Sequence, residues 1–213
     1  MEFEPSLLGW TIFERGEWEP QQTSVFLSRL EAGNIVLEVG ANTGYYALLA
    51  ADRIGPHGHV HVFEIQPSMI DILRRNVIRN ALSDRVTVVE AGCFSSAGEA
   101  IIEARGDPGS ARIGFAPGGI RVPLITLDEY VKKAALEHVD VVLIDAEGAD
   151  FEILKGAKRT LERFQPAVIA EVHHLAAFGG SEEELREYMA QFGYHARPLQ
   201  GEFSRDLLFE TGR

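Results

Sequence analysis

Cysteine is nearly absent: Cys93 stands alone in 213 residues. One thiol cannot close an internal disulfide, so nothing in the chain calls for an oxidising compartment. Long apolar runs are missing too, and no stretch nears the about 18 apolar residues of a membrane span. The opening MEFEPSLLGW is acidic where a secretory signal is basic, and lacks the apolar stretch of one. Positive charge is scarce: 20 Lys and Arg face 32 Asp and Glu, a formal net charge of −12. That balance argues against a nucleic-acid partner, whose affinity comes largely from cations on phosphate. The clusters Arg74-Arg75 and 155–163 fall on amphipathic helical patterns and read as solvated faces. Repeats and linkers are lacking as well. The expectation is a cytoplasmic protein with no membrane or nucleic-acid partner. A single domain spans 1–213, with 1–33 as a helical cap segment and 34–213 as the core.

What is present is organised around Ile35 to Ala50, IVLEVGANTGYYALLA. An apolar strand interrupted by Glu38 meets a turn bracketed by Gly40 and Gly44, and an apolar helix follows. That unit opens nucleotide-binding α/β domains. Before it, Gln21 to Leu30 has helical spacing, stopped by Gly33. After it come a strand at His59–Phe63 ending in Glu64, a helix from Pro67 to about Leu82, and a strand at Val86–Val89. Strand, helix, strand, helix, strand implies parallel pairing through right-handed crossovers. From 95 to 125 the pattern turns to short β-like runs, an antiparallel excursion, after which Thr126 and Glu129 form a capping-box pattern. Strands at Val139–Ile144 and Ala167–Ala170 flank a helix in which Asp150 is the expected cap and Phe151, Leu154, Ala157 and Leu161 the core stripe. A helix from Ser181 to about Phe192 precedes two closing strands, Tyr194–Pro198 and Asp206–Glu210, with a turn at Gly201.

Ligands of open parallel sheets bind beyond the carboxyl ends of the strands. Glu38, Glu64, Glu90 to Cys93, Asp145, Glu147, Glu171 and His173 all fall there. A dinucleotide site wants G-x-G-x-x-G, but Asn42 takes the middle glycine's place and Glu38 would face the pyrophosphate. S-adenosylmethionine has no phosphate and carries an ammonium and a sulfonium, so Glu38 favours it. Glu64, ending the next strand, suits the two ribose hydroxyls. A nicotinamide-dependent oxidoreductase and a non-catalytic partner subunit stay open as other readings.

Five segments, VLEVGANTGYY, VFEIQPSMIDILRRNVIRN, VPLITLDEYV, VDVVLIDAEGADFEILKGA and PAVIAEVH, resemble the FkbM family of S-adenosylmethionine-dependent methyltransferases, within the class I group. The lead-in at 16–19 is also similar. The chain departs from the family pattern at Glu38, where Asp is usual, and at Leu143, where Lys is common. Ile65-Gln66 also displaces the usual proline to Pro67. The resemblance implies a Rossmann-like fold with a mostly parallel seven-stranded sheet, helices on both faces and an antiparallel C-terminal strand, the excursion lying between the third and fourth strands. It implies O-methylation of a hydroxyl on a small molecule or sugar. Cofactor contacts are expected from Glu38, Gly40, Ala41, Asn42, Gly44, Tyr45, Glu64, Ile65, Gly92, Cys93, Phe94 and Asp145, with Phe94 a candidate to face the adenine or else a core aromatic. A base for the acceptor is expected among Asp145, Glu147, Glu171 and His173. No metal is expected, the lesser alternative being one divalent ion on Asp145, Glu171 and His173. The acceptor pocket is expected from the segment around Trp18, the excursion and the loop 175–181. A homodimer is an open option.

Overall fold

The structure, a computed structural model, describes residues 1–2, 6–103, 112–114, 119–200 and 205–212. Ahead of the first strand stand α1 (Leu7–Arg15) and α2 (Pro20–Ser28). Then β1 (Ile35–Val39), α3 (Tyr45–Ile54), β2 (His59–Glu64), α4 (Pro67–Arg79) and β3 (Val86–Glu90) alternate. The excursion holds β4 (Gly92–Cys93), β5 (Gly98–Glu103), β6 (Arg112–Gly114) and β7 (Ile120–Ile125). The remainder is α5 (Leu127–Lys133), β8 (Val141–Ile144), α6 (Asp150–Lys155), α7 (Lys158–Phe164), β9 (Ala167–Glu171), α8 (Glu182–Ala190), β10 (Tyr194–Gln200) and β11 (Arg205–Thr211).

The apolar strands form one seven-stranded sheet in the order β10-β11-β9-β8-β1-β2-β3. β1 pairs in parallel with both β2 and β8, and β2–β3 and β8–β9 are parallel as well. β11 runs antiparallel to β9 and β10. Side-chain alternation sends Leu37, Val39, Val142 and Ile144 to one face, under Ile153 and Leu154 of α6 and Leu161 of α7. Val36, Val141 and Leu143 go to the other, under Ala47 and Ala50 of α3 and Leu73 and Val77 of α4. Burial on both faces is why these strands read as continuous apolar runs. Each such leucine or valine contributes roughly 1.5–3 kcal/mol on leaving water. The architecture is α/β with helices on both faces of a mostly parallel sheet and an antiparallel C-terminal strand. Among the described residues no helix is long and apolar enough to cross a membrane.

The excursion is a second sheet, β4-β7-β5-β6, antiparallel except where β4 pairs with β7. Its own small core comprises Ala100, Ile102, Ile113, Val122 and Leu124. Thr126 caps α5 in a full capping box with Glu129.

Leu7–Arg15 is helical, capped by the Ser6 hydroxyl. Three local expectations need correction. α2 ends at Ser28, so Gly33 does not stop it. The helix expected from Asp150 through Leu161 is two, α6 and α7, broken at Gly156, where a Cβ would lie 2.1 Å from the Phe94 carbonyl oxygen. Asp128 makes the break possible by accepting from the N–H groups of Arg159 and Thr160, both at 2.9 Å, at the start of α7. Finally, Asp150 is not a cap: it is the first residue of α6 and accepts instead from the Glu171 N–H at 3.1 Å. The turn expected at Gly201 lies outside the described residues.

Candidate active site

A cavity of about 200 Å³ opens where β1, β2 and β8 end. Its floor is the turn after β1. Gly40 has φ +88°, and a Cβ there would lie 1.8 Å from the Asp145 carbonyl oxygen. The glycine therefore lets the ends of β1 and β8 touch, and the N–H groups of Gly40 and Ala41 donate to the Phe63 carbonyl of β2 at 2.9 and 3.2 Å. Gly44, at φ +89°, backs onto Leu73 of α4 and does not line the cavity. Its freedom serves the packing of α3 on α4.

Two carboxylates face each other in this floor. Glu38 is 2% exposed, and its Oε2 has no hydrogen-bond partner. Burial first, then the charge of Glu64, push its carboxyl well above the ordinary range. A buried acid without a donor is costly, and a cationic ligand is the direct remedy. Glu64 is 7% exposed but well satisfied: Oε2 accepts from Asn42 N–H at 2.7 Å, and Oε1 from Ile65 and Gln66 N–H at 2.8 and 2.9 Å. Burial raises its carboxyl, and these three bonds oppose the rise. A carboxylate has about four acceptor positions, so one remains where the sequence suggested acceptance by both oxygens.

Of the expected cofactor residues, Glu38, Gly40, Ala41, Asn42, Tyr45, Glu64, Ile65, Gly92, Cys93 and Asp145 line the cavity. Phe94 does not; its ring packs edge-on against Phe178, 5.6 Å between centroids. Of the expected base candidates, Asp145 and Glu147 line the cavity, while Glu171 and His173 stand outside the lining. Burial, followed by the charges of Glu171, Asp150, Glu19 and Asp206, raises the Asp145 carboxyl well above its usual range. Burial likewise pushes up the Cys93 thiol.

The cavity's remaining wall comes from the two regions with free sequence. Trp18 lines it, held by its backbone N–H donating to the Tyr45 hydroxyl at 3.2 Å. From the excursion come Arg112, the one cation among the described lining residues, and Ile113. Loop 175–181 lies elsewhere, its Phe178 on Phe94. Sequence reasoning missed Ser6, Leu7 and Leu8, although Ser6 before an apolar pair was a readable helix start.

The family model described as the methyltransferase FkbM domain matches residues 38–196, most of the chain and all of this floor. The chain belongs to the FkbM methyltransferase family. A probable cobalt-precorrin-6B C(15)-methyltransferase of Pyrobaculum calidifontis is 30% identical over 70% of this chain and 73% of its own length. The hexuronic acid methyltransferase AglP of Haloferax volcanii is 28% identical over 77% of this chain and 66% of its own. In structure, the FkbM methyltransferase of Methylobacillus flagellatus aligns with a TM-score of 0.63 at 16% identity, covering 85% of this chain. The chain spans only 44% of that larger protein, and the likeness is one of fold. With the FkbM family given, the cavity occupies the place where the parallel sheet of this fold opens to ligand.

Proposed function

We propose that this FkbM-family chain is an S-adenosylmethionine-dependent methyltransferase that methylates a hydroxyl of a small, sugar-like molecule. The observation that carries the cofactor reading is the buried carboxyl of Glu38, a residue that lines the cavity and whose Oε2 has no hydrogen-bond partner. It meets an ammonium and repels a pyrophosphate. Glu64 takes a ribose hydroxyl at its remaining acceptor position. Ile65, Gly92 and Cys93 flank the adenine, and the turn from Gly40 to Asn42 with Tyr45 holds the amino-acid end. When bound, the cofactor supplies a methyl already activated by its sulfonium, so the protein's work is to orient an acceptor and exclude water.

Asp145 and Glu147 take that acceptor. Burial and like charge raise the Asp145 carboxyl, the direction that makes it a stronger acceptor of a hydroxyl proton. Trp18 and Arg112 shape the opposite wall. The hexuronic acid methyltransferase among the relatives supports a sugar-like acceptor.

Isothermal titration of the full chain with S-adenosylhomocysteine and, separately, NAD tests the cofactor. Binding of the first alone is expected, and binding of NAD alone would overturn the reading. Labelled S-adenosylmethionine with a panel of sugars and uronic acids then tests the acceptor. Transfer only to carbon or nitrogen nucleophiles would refute the O-methylation reading.

A further inference from the structure

Beside the cavity, negative charge accumulates. Glu171 ends β9, with Asp206 of β11 as its cross-strand partner, and its N–H donates to Asp150 Oδ1. Asp150 is fully buried, and its Oδ2 has no hydrogen-bond partner. Gln22, its amide nitrogen turned inward, donates to Asp206 at 2.5 Å and Glu19 at 2.6 Å. Glu171, Asp150, Asp206 and Glu19 thus stand together as a group of carboxyl side chains.

The chain turns directly after Glu171 and brings two imidazoles back over it. His173 and His174 stack with centroids 4.4 Å apart and planes 10° apart. Gly148 permits this turn, since a Cβ there would lie 2.4 Å from the His174 carbonyl oxygen. One ligand atom each from Glu171, His173 and His174 lies within 4.8 Å of the others. Ligands of a tetrahedral ion stand roughly 3.4 Å apart at bond lengths of about 2.0–2.2 Å. Stacked rings cannot both aim a lone pair at one ion, so ligation requires the imidazoles to unstack, a side-chain rotation open to both because they are exposed.

We infer that Glu171, His173 and His174 form a binding site for one divalent transition-metal ion. Two imidazoles and a carboxylate select Zn²⁺ or its neighbours over Mg²⁺ and Ca²⁺, which prefer all-oxygen sites. Three protein ligands leave a fourth position open. The set differs from the one considered in the sequence: His174 joins in place of Asp145. The site adjoins the cavity through the turn at 147–148: Glu147 lines the cavity and Gly148 packs against the His174 backbone. An ion there can polarise an acceptor oxygen. That last role rests on the methyltransferase reading; metal binding does not.

The test is calorimetry on the EDTA-treated full chain with Zn²⁺ and with Mg²⁺, each paired with an S-adenosylhomocysteine titration. One Zn²⁺ per chain is expected, with Mg²⁺ at least about 100-fold weaker. His173→Ala and His174→Ala should each weaken Zn²⁺ at least about tenfold, and the double variant should lose the site. His138→Ala, at another exposed histidine, should leave it intact. Co²⁺ should give visible absorption of a four-coordinate ion in the parent and none in the double variant. Absent stoichiometric Zn²⁺ binding, or binding unchanged in the double variant, overturns the site. S-adenosylhomocysteine binding without Zn²⁺ binding would refute this inference alone, and the converse would refute the cofactor reading alone.

Discussion

Gly40 and Asp145 meet backbone to backbone: a β-carbon on the glycine would lie 1.8 Å from the aspartate's carbonyl oxygen. The contact joins the ends of two neighbouring strands, β1 and β8, at the cavity floor. At Gly44 the nearest atom is instead Leu73 Cδ1, 2.4 Å away on a flexible side chain. Both glycines have positive φ, which costs alanine about 1 kcal/mol. Gly40→Ala adds a backbone clash that only strand movement relieves, so a loss of at least about 3 kcal/mol is expected. Gly44→Ala should cost roughly half as much, since Leu73 can change rotamer. Urea unfolding of the two variants checks the ranking, and equal losses would contradict it.

Glu38 sets stability against binding. Its native carboxyl titrates well above the ordinary value of 4.5 because of burial and Glu64. Between those two values the folded state holds more protons than the unfolded one. The stability from this group is therefore complete below pH 4.5 and is lost as pH rises through the native pKa. Glu38→Gln should raise the unliganded protein's melting temperature at pH 8. It should also weaken S-adenosylhomocysteine by at least about tenfold, a loss of about 1.4 kcal/mol. Parent affinity should climb with pH above 4.5 more steeply than the variant's, and calorimetry over a pH series above that value reads both slopes.

Glu64 needs a gentler substitution than alanine. Three backbone N–H groups, from Asn42, Ile65 and Gln66, end on its carboxylate. Glu64→Ala would leave them without their acceptor, at about 1–3 kcal/mol for each that stays buried. Unfolding would then mask any ribose contact. Glu64→Gln keeps one acceptor oxygen. It should fold with a melting temperature several degrees lower and bind S-adenosylhomocysteine measurably less tightly. Unchanged affinity in the folded variant would remove Glu64 from the ribose.

The strands of the sheet were legible because burial on both faces demands unbroken apolar runs, and an acid such as Glu38 inside one stands out. The position of Asp145 and Glu147 followed from the same logic of strand ends. What escaped depends on contacts between distant segments. Lys155-Gly156-Ala157 is compatible with a continuous helix, and the contacts that go with the break, the Phe94 carbonyl against Gly156 and Asp128 at the start of α7, come from distant segments. α1 presents Leu7, Trp10 and Phe13 to solvent, so burial gave its pattern no inward stripe. Phe94 was ambiguous between adenine and core because its partner, Phe178, lies over 80 residues away in sequence. The three N–H groups on Glu64 follow from how the chain turns at Asn42 and at Ile65-Gln66, which residue types alone do not specify.

His61 provides a pH signature of the opposite sign to Glu38, away from the cavity. It is 7% exposed on β2, and its Nδ1 lies 2.8 Å from the Tyr130 hydroxyl. Burial, with His59 as a smaller repulsion, lowers its pKa from 6.5 to about 4. Between those values the unfolded chain binds the extra proton, so stability is full above 6.5 and falls as pH drops toward 4. The loss amounts to roughly 2–3 kcal/mol at most, since a pKa unit corresponds to about 1.4 kcal/mol and the ring is not wholly desolvated. His61→Gln keeps a polar contact to Tyr130 without the titration. The difference in unfolding free energy between parent and variant should therefore shift by that amount from pH 7 to pH 4.5. A difference independent of pH would mean that His61 titrates alike in the folded and unfolded chain, contrary to its burial.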